Sequence, residues 1–248
     1  MHENSIEVIL HAQTITTWFG IPITNALITS WIIIALLVII GFLIGRNPKL
    51  IPGKIQTTFE ALFSFVIDYM AEVFESRAIA LRYFPLIITI FLYIFLANVL
   101  EFTPGIGSIG WFGPDGFLPL FRSVNTDLNV TLALAIVSAI VTEVSGVIVI
   151  GFLKYASKFV NFKSILGFFI GIIELISEIA RLISFSFRLF GNIFAGDILV
   201  LVMIYFLPFV LPVPFMFFEI LVGFIQAAIF ALLTLFFIKV AITPEEGH

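Results

Sequence analysis

Stretches of apolar sequence longer than a bilayer is thick constrain this chain more than any other feature. Asn25–Gly45, Tyr83–Phe102, Leu128–Phe152 and Phe215–Val240 are each predominantly apolar. Each reaches the roughly 20 residues an α-helix needs to cross a hydrocarbon core of about 30 Å. At that depth backbone N–H and C=O groups must be bonded within the segment, so helices are the expected form. Composition agrees: 61% of the 248 residues are hydrophobic and 11% charged, against roughly 45–50% and about 25% in soluble domains. The expected fold class is an all-α membrane protein with about five membrane-embedded helices. It is read as a single integral membrane domain over residues 1–248.

A fifth apolar region, Ile165–Leu207, is longer than the others. As one helix it would run roughly 64 Å at about 1.5 Å per residue, about twice the core. It is either two short helices joined inside the membrane or one long, steeply tilted helix. No proline interrupts it before Pro208, and a turn at lipid depth would strand backbone polar groups. One long helix is therefore expected, with Gly191 and Gly196 able to admit a bend. With residues 215–240 it would form a steeply tilted pair at the C-terminal end.

Loop charge gives an orientation. The N-terminal arm carries Glu3 and Glu7 without Lys or Arg, and residues 103–127 carry Asp115 and Asp127 against Arg122. Arg46, Lys49, Lys54, Arg77 and Arg82 follow the first span, and Lys154, Lys158 and Lys163 follow the third. Positive loops stay cytoplasmic, so five crossings put the N-terminus outside and the C-terminus, near Lys239, inside. Residues 55–77 mix aromatic and aliphatic side chains with Glu60, Asp68, Glu72 and Glu75. They fit a cytoplasmic-side amphipathic helix better than a short sixth crossing. No basic stretch precedes the first apolar run, so no cleaved signal peptide is expected.

Several chemistries drop out. There is no cysteine, and His2, His11 and His248 stand near the termini, so neither a metal centre nor an intramembrane protease is expected. A net charge of −4 offers no nucleic-acid surface, and no phosphate-cradling loop is present, since Pro52-Gly53-Lys54 is followed by isoleucine. No cofactor is expected. Gly167–Gly171 fits the small-xxx-small packing pattern, which is common and unspecific.

The long segment carries a polar stripe. At about 100° per residue, Glu174, Glu178, Arg181, Ser184, Arg188 and Asn192 fall within roughly 120° of one another. Asp197 lies well off it. The last span offers Glu219 and Gln226, seven apart, with Gly223 between them. Arg181 and Glu178 equally suit a structural ion pair near a membrane boundary, and Ser184, Asn192 and Gln226 suit ordinary interhelical hydrogen bonds. Arg188 is harder to read as structural. It stands deep in an apolar run, where a charge costs about 2.5 kcal/mol or more, and such residues face a cavity or a charged partner. Arginine keeps its proton, so it cannot relay one, but it can hold a nearby carboxyl ionised.

Arg188–Asp197, RLFGNIFAGD, closely resembles the hallmark of the subunit a family of F-type ATP synthases. ITNALITSWI at residues 23–32, FLANVLEFTPG at 95–105, TDLNVTLALA at 126–135 and FEILVGFIQAAIFALLT at 218–234 extend the resemblance over most of the chain. The resemblance implies a stator holding two offset half-channels beside a rotating ring of c subunits, anchored by b-type peripheral stalk subunits in a bacterial cytoplasmic membrane. Arg188 matches the family's essential arginine, facing the ring carboxylate, and Asn192 and Gln226 match the polar residues around it. Glu219 and Asp197 match a titratable pair implied to line the outer half-channel. Glu174, Arg181 and Ser184 match positions towards the inner one, and Asp127 matches an acidic position at the outer end of the third span. The resemblance implies a proton-translocating subunit with nucleotide chemistry elsewhere, not an enzyme by itself.

Departures accompany the match. Asp197 occupies a position often held by glutamate or histidine, and Glu101 one where glycine is common. Glu143, in mid-span, either extends the outer aqueous path or pairs within the helix bundle. The rival reading is a stand-alone ion channel or secondary transporter whose stripe lines its own pore.

Overall fold

The computed structural model describes residues 12–46, 53–103, 106–113, 116–159, 165–208 and 210–243. Glu3, Glu7, Lys49, Asp115 and Lys163, which bear on orientation, lie outside the described residues, as do the three histidines. In chain order the elements are β1 (Thr14–Trp18), β2 (Ile21–Thr24), α1 (Asn25–Gly45), α2 (Lys54–Phe74), α3 (Arg77–Glu101), β3 (Gly110–Gly113), β4 (Gly116–Pro119), α4 (Leu128–Ile150), α5 (Phe152–Ala156), α6 (Ile165–Phe206) and α7 (Pro212–Ile242). Five of them, α1, α3, α4, α6 and α7, are long and apolar enough to cross a membrane. The chain is an all-α membrane protein. The fifth apolar region is one helix of 42 residues, not two short helices with a turn between them.

Two short antiparallel hairpins, β1–β2 and β3–β4, were not expected from the sequence. The first turns at Phe19 and Gly20, both at positive φ, 49° and 82°. That pair of left-handed residues is what a two-residue hairpin of the favoured twist requires. The hairpin feeds directly into α1, where buried Asn25 accepts from the Gln13 N–H at 3.2 Å and donates to the Pro119 carbonyl at 3.2 Å.

The helix beginning at residue 83 in the sequence reading starts six residues earlier, at Arg77. Glu75 takes a left-handed conformation, φ 55°, and the Ser76 N–H reaches back to the Ala71 carbonyl at 3.1 Å, closing α2. The Ser76 hydroxyl then accepts from the Ile79 N–H at 3.4 Å, the arrangement by which a serine N-cap opens the next helix. Charges at Arg77 and Arg82 had masked this start.

The chain packs as two compact units. The first draws on residues 1–38, 92–131 and 187–227. Ile33, Ala97 and Val124 are buried together in it. The second draws on residues 39–91, 132–186 and 228–248. There Met70 and Phe74 of α2 pack on Ala80 and Ile87 of α3 and on Ala231, Leu235 and Ile238 of α7. Among lipid chains apolar helices gain little from the hydrophobic effect, so close packing and hydrogen bonds join them. In the second unit the buried Ser138 and Thr234 hydroxyls are 2.8 Å apart, tying α4 to α7.

Candidate functional site

In the first unit three acids from three helices converge. The carboxyls of Glu101, the last residue of α3, and Asp197 of α6 are in hydrogen-bonding contact. Glu219 of α7 interacts electrostatically with both and is 7% exposed. Gly196 makes room for it, since a Cβ there would overlap the Glu219 carboxylate.

Arg122, in the segment before α4, supplies the positive charge. Burial pushes its guanidinium down from the usual value, while the Asp197 and Asp127 carboxylates push it up. Its backbone N–H donates to Thr29 at 3.2 Å and its Nε to Thr126 at 3.4 Å. Glu101, Arg122, Ser123 and Asp197 open onto one cleft of about 320 Å³, large enough for several waters at about 30 Å³ each. Asp127, 4% exposed, accepts from the backbone and side-chain nitrogens of Asn129 at 2.9 and 3.0 Å. It stands one residue before α4, so it caps that helix as well as acting on Arg122.

Asn98, one turn before Glu101, is 1% exposed. It donates to the Gly223 carbonyl at 2.9 Å and accepts from Asn125 at 2.6 Å. Gly223 allows this approach, because a Cβ there would lie 2.8 Å from that of Asn98.

Arg188 stands nine residues before Asp197 on the same helix, about 180° round it at 100° per residue. It is exposed, with Phe187 and Ala195, while Leu189 and Ile193 are buried. Asn192 is half-buried. Gln226 is buried, and its Nε2 has no hydrogen-bond partner among the described residues.

The second unit holds an ionic array. Lys158 Nζ is 2.6 Å from Glu174 and 3.7 Å from Glu178. Arg181 donates to both oxygens of Glu178 at 3.0 Å, and its guanidinium lies 4.2 Å from the centre of the Phe237 ring. The i,i+3 pairing of Glu178 with Arg181 is the structural ion pair the sequence suggested. Ser184, one turn on, is exposed.

Of the residues singled out from sequence, Asp197 and Glu219 therefore share one cluster, with Asp127 acting on its arginine, and Glu174 and Arg181 share another. Sequence reasoning missed Glu101 and Arg122 as members of the first, and Lys158 as the bridge of the second. The signal available was weak: an acid at the end of a span, and single cations in loops counted only for orientation.

The family model for the ATP synthase A chain matches residues 27–239. The chain is 31% identical over 211 residues to ATP synthase subunit a of Campylobacter jejuni subsp. jejuni (strain 81-176), covering 85% of this chain and 87% of that one. It is 33% identical over 222 residues to ATP synthase subunit a of Helicobacter acinonychis, covering 87% and 90%. With the subunit a of Helicobacter pylori (strain P12) it shares 32% over 227 residues, covering 89% and 92%. A match over most of its length, reaching into every candidate span, makes this chain a member of the ATP synthase A chain family.

Proposed function

We propose that this chain is the stator of a rotary F-type ATP synthase that passes protons to and from the carboxylates of a c-subunit ring. The observation that carries the reading is the exposure of Arg188 in the middle of α6. An arginine at membrane depth costs about 2.5–3.5 kcal/mol or more unless a cavity or charged partner receives it. Exposed on α6, Arg188 is open to a carboxylate carried past it on a ring.

In this reading the Glu101–Asp197–Glu219 cluster and its cleft belong to the outer half-channel. Glu174, Arg181 and Ser184 belong to the inner one, and Asn192 and Gln226 flank the arginine. A proton entering from outside neutralises a ring carboxylate, which then enters lipid. After rotation the carboxyl meets Arg188, whose fixed charge favours its ionised form and releases the proton. Arg188 also blocks a direct proton leak between the two paths. The membrane potential supplies about 2.3 kcal/mol per charge per 100 mV, so several protons are needed per ATP, and nucleotide chemistry belongs to other subunits.

The helix α6, at 42 residues, exceeds what a perpendicular crossing needs by about twofold, which supports a steep tilt for it and for α7. The helix α2 is read as lying on the cytoplasmic surface. The N-terminus is then outside and the C-terminus inside a bacterial cytoplasmic membrane, with a b-type peripheral stalk holding the chain. Arg188→Ala tests the reading: coupled ATP synthesis is lost while the complex still assembles with its ring. Coupled synthesis by the assembled variant would reject it, and proton conduction by the purified chain without a ring would favour a stand-alone channel.

A further inference from the structure

Glu143 is a mid-span acid that neither the family resemblance nor the path above uses. The segment after α4 is shaped to reach it. Gly151, at φ 93°, turns the chain, and α5 returns Tyr155 across α4 so closely that a Cβ on Gly146 would overlap the tyrosine ring. The Tyr155 hydroxyl thereby donates to Glu143 at 3.0 Å. The same segment is held against α6 at Gly171, where a Cβ would overlap the Phe159 carbonyl. Lys158, next in line, bridges Glu174 and Glu178. Two close approaches at glycine thus set one short strap between α4 and α6, with a side chain reaching acids on each.

The charges in this array do not balance. Glu143, Glu174 and Glu178 make three carboxyls, and Lys158 and Arg181 make two cations. The cations lie on Glu174 and Glu178, whereas the hydrogen-bond donor to Glu143 is a neutral phenol. Glu143 interacts electrostatically with Glu178, Lys158 and Arg181, so the three acids form one electrostatic system. A cavity of about 20 Å³ lined by Ser138, Thr142, Glu178 and Arg181 adjoins it, room for about one water.

We propose that Glu143 is a proton-carrying residue of the inner path, held in place by Tyr155 and exchanging its proton with the Lys158-bridged pair Glu174 and Glu178. In the exchange the proton leaves the Glu143 carboxyl and arrives on the Glu178 carboxylate, so the total charge of the array does not change. The inference rests on the proton-translocating reading given above.

The test uses the whole complex in inverted membrane vesicles, following ATP-driven proton uptake with a pH-sensitive dye across the neutral range. Glu143→Gln slows uptake by about tenfold, less than the roughly 10²–10⁴-fold typical for loss of a proton-transfer group, because other carboxyls remain nearby. Glu143→Asp restores most of the rate. Tyr155→Phe assembles and moves the pH at which uptake is half-maximal, which a merely structural tyrosine would not do. A wild-type rate and pH profile in Glu143→Gln would overturn the proposal. Should that variant fail to assemble, an unmoved profile in Tyr155→Phe would overturn it instead. Arg188→Ala in the same membranes separates the two levels: if it stays coupled, the translocating reading itself fails, and if it is uncoupled, wild-type behaviour in Glu143→Gln rejects this inference alone.

Discussion

The carboxylate of Glu219 occupies the space that a side chain on Gly196 would need. The neighbour is the end of a flexible side chain, so Gly196→Ala turns Glu219 aside without breaking the helix. Overpacking of this kind costs about 1–3 kcal/mol. The variant is expected to assemble with lowered thermal stability and slower proton uptake. Gly41→Ala, inside α1 where nothing lies within 4 Å, is expected to leave proton uptake unchanged and to keep or raise thermal stability, alanine being the better helix former by about 1 kcal/mol. Equal behaviour of the two variants would show that the close approach is not a constraint.

Asp127 is a cap first. Asp127→Ala removes the acceptor for Asn129 and is expected to cost about 1 kcal/mol, read as a lower midpoint for thermal unfolding in detergent. Asp127→Asn keeps a capping oxygen and recovers most of that loss. If the two substitutions lower the midpoint equally, the charge acting on Arg122 matters more than the cap.

The buried Ser138–Thr234 bond is a test of how much one hydroxyl pair holds between helices. Ser138→Ala and Thr234→Ala are each expected to cost about 0.6 kcal/mol, the usual scale in membranes. The double variant should cost less than the sum, because the same bond is removed twice. Strict additivity in the cycle would mean that the two hydroxyls do not act on each other.

Tyr155 should keep its proton well past the ordinary range. Burial raises its pKa, and the Glu143 carboxylate raises it further by opposing a second negative charge. Free tyrosine ionises near about pH 10, so Tyr155 remains a donor at and above that pH. The tyrosinate absorbance that develops there is expected to be the same in wild type and Tyr155→Phe. A smaller signal in the variant would show that Tyr155 ionises like a free phenol.

The spans were legible because apolar length is a local property. Asn25–Gly45 has the bounds read from sequence, and the absence of proline before Pro208 was enough to predict α6 as one helix. The start of α3 was hidden because Arg77 and Arg82 look like loop charges, whereas what opens the helix is a hydroxyl on Ser76 after a left-handed Glu75. The hairpin at Phe19 and Gly20 lacks the usual asparagine, so its turn chemistry gave little away. At the candidate sites the titratable residues were visible, but their companions were not. Glu101 meets Asp197 across 96 positions of sequence and Lys158 meets Glu174 across 16, pairings that only the folded chain creates.

Asn98 carries one more consequence. An apolar helix can slide along an apolar neighbour with little change in contact, so packing alone sets its height poorly. A hydrogen bond to one particular carbonyl, that of Gly223, works as an axial stop: a slip of one turn would carry that carbonyl about 5.4 Å away. Glu219 lies one turn from Gly223 on the same helix. A single amide on α3 thereby fixes the level at which an acid on α7 stands.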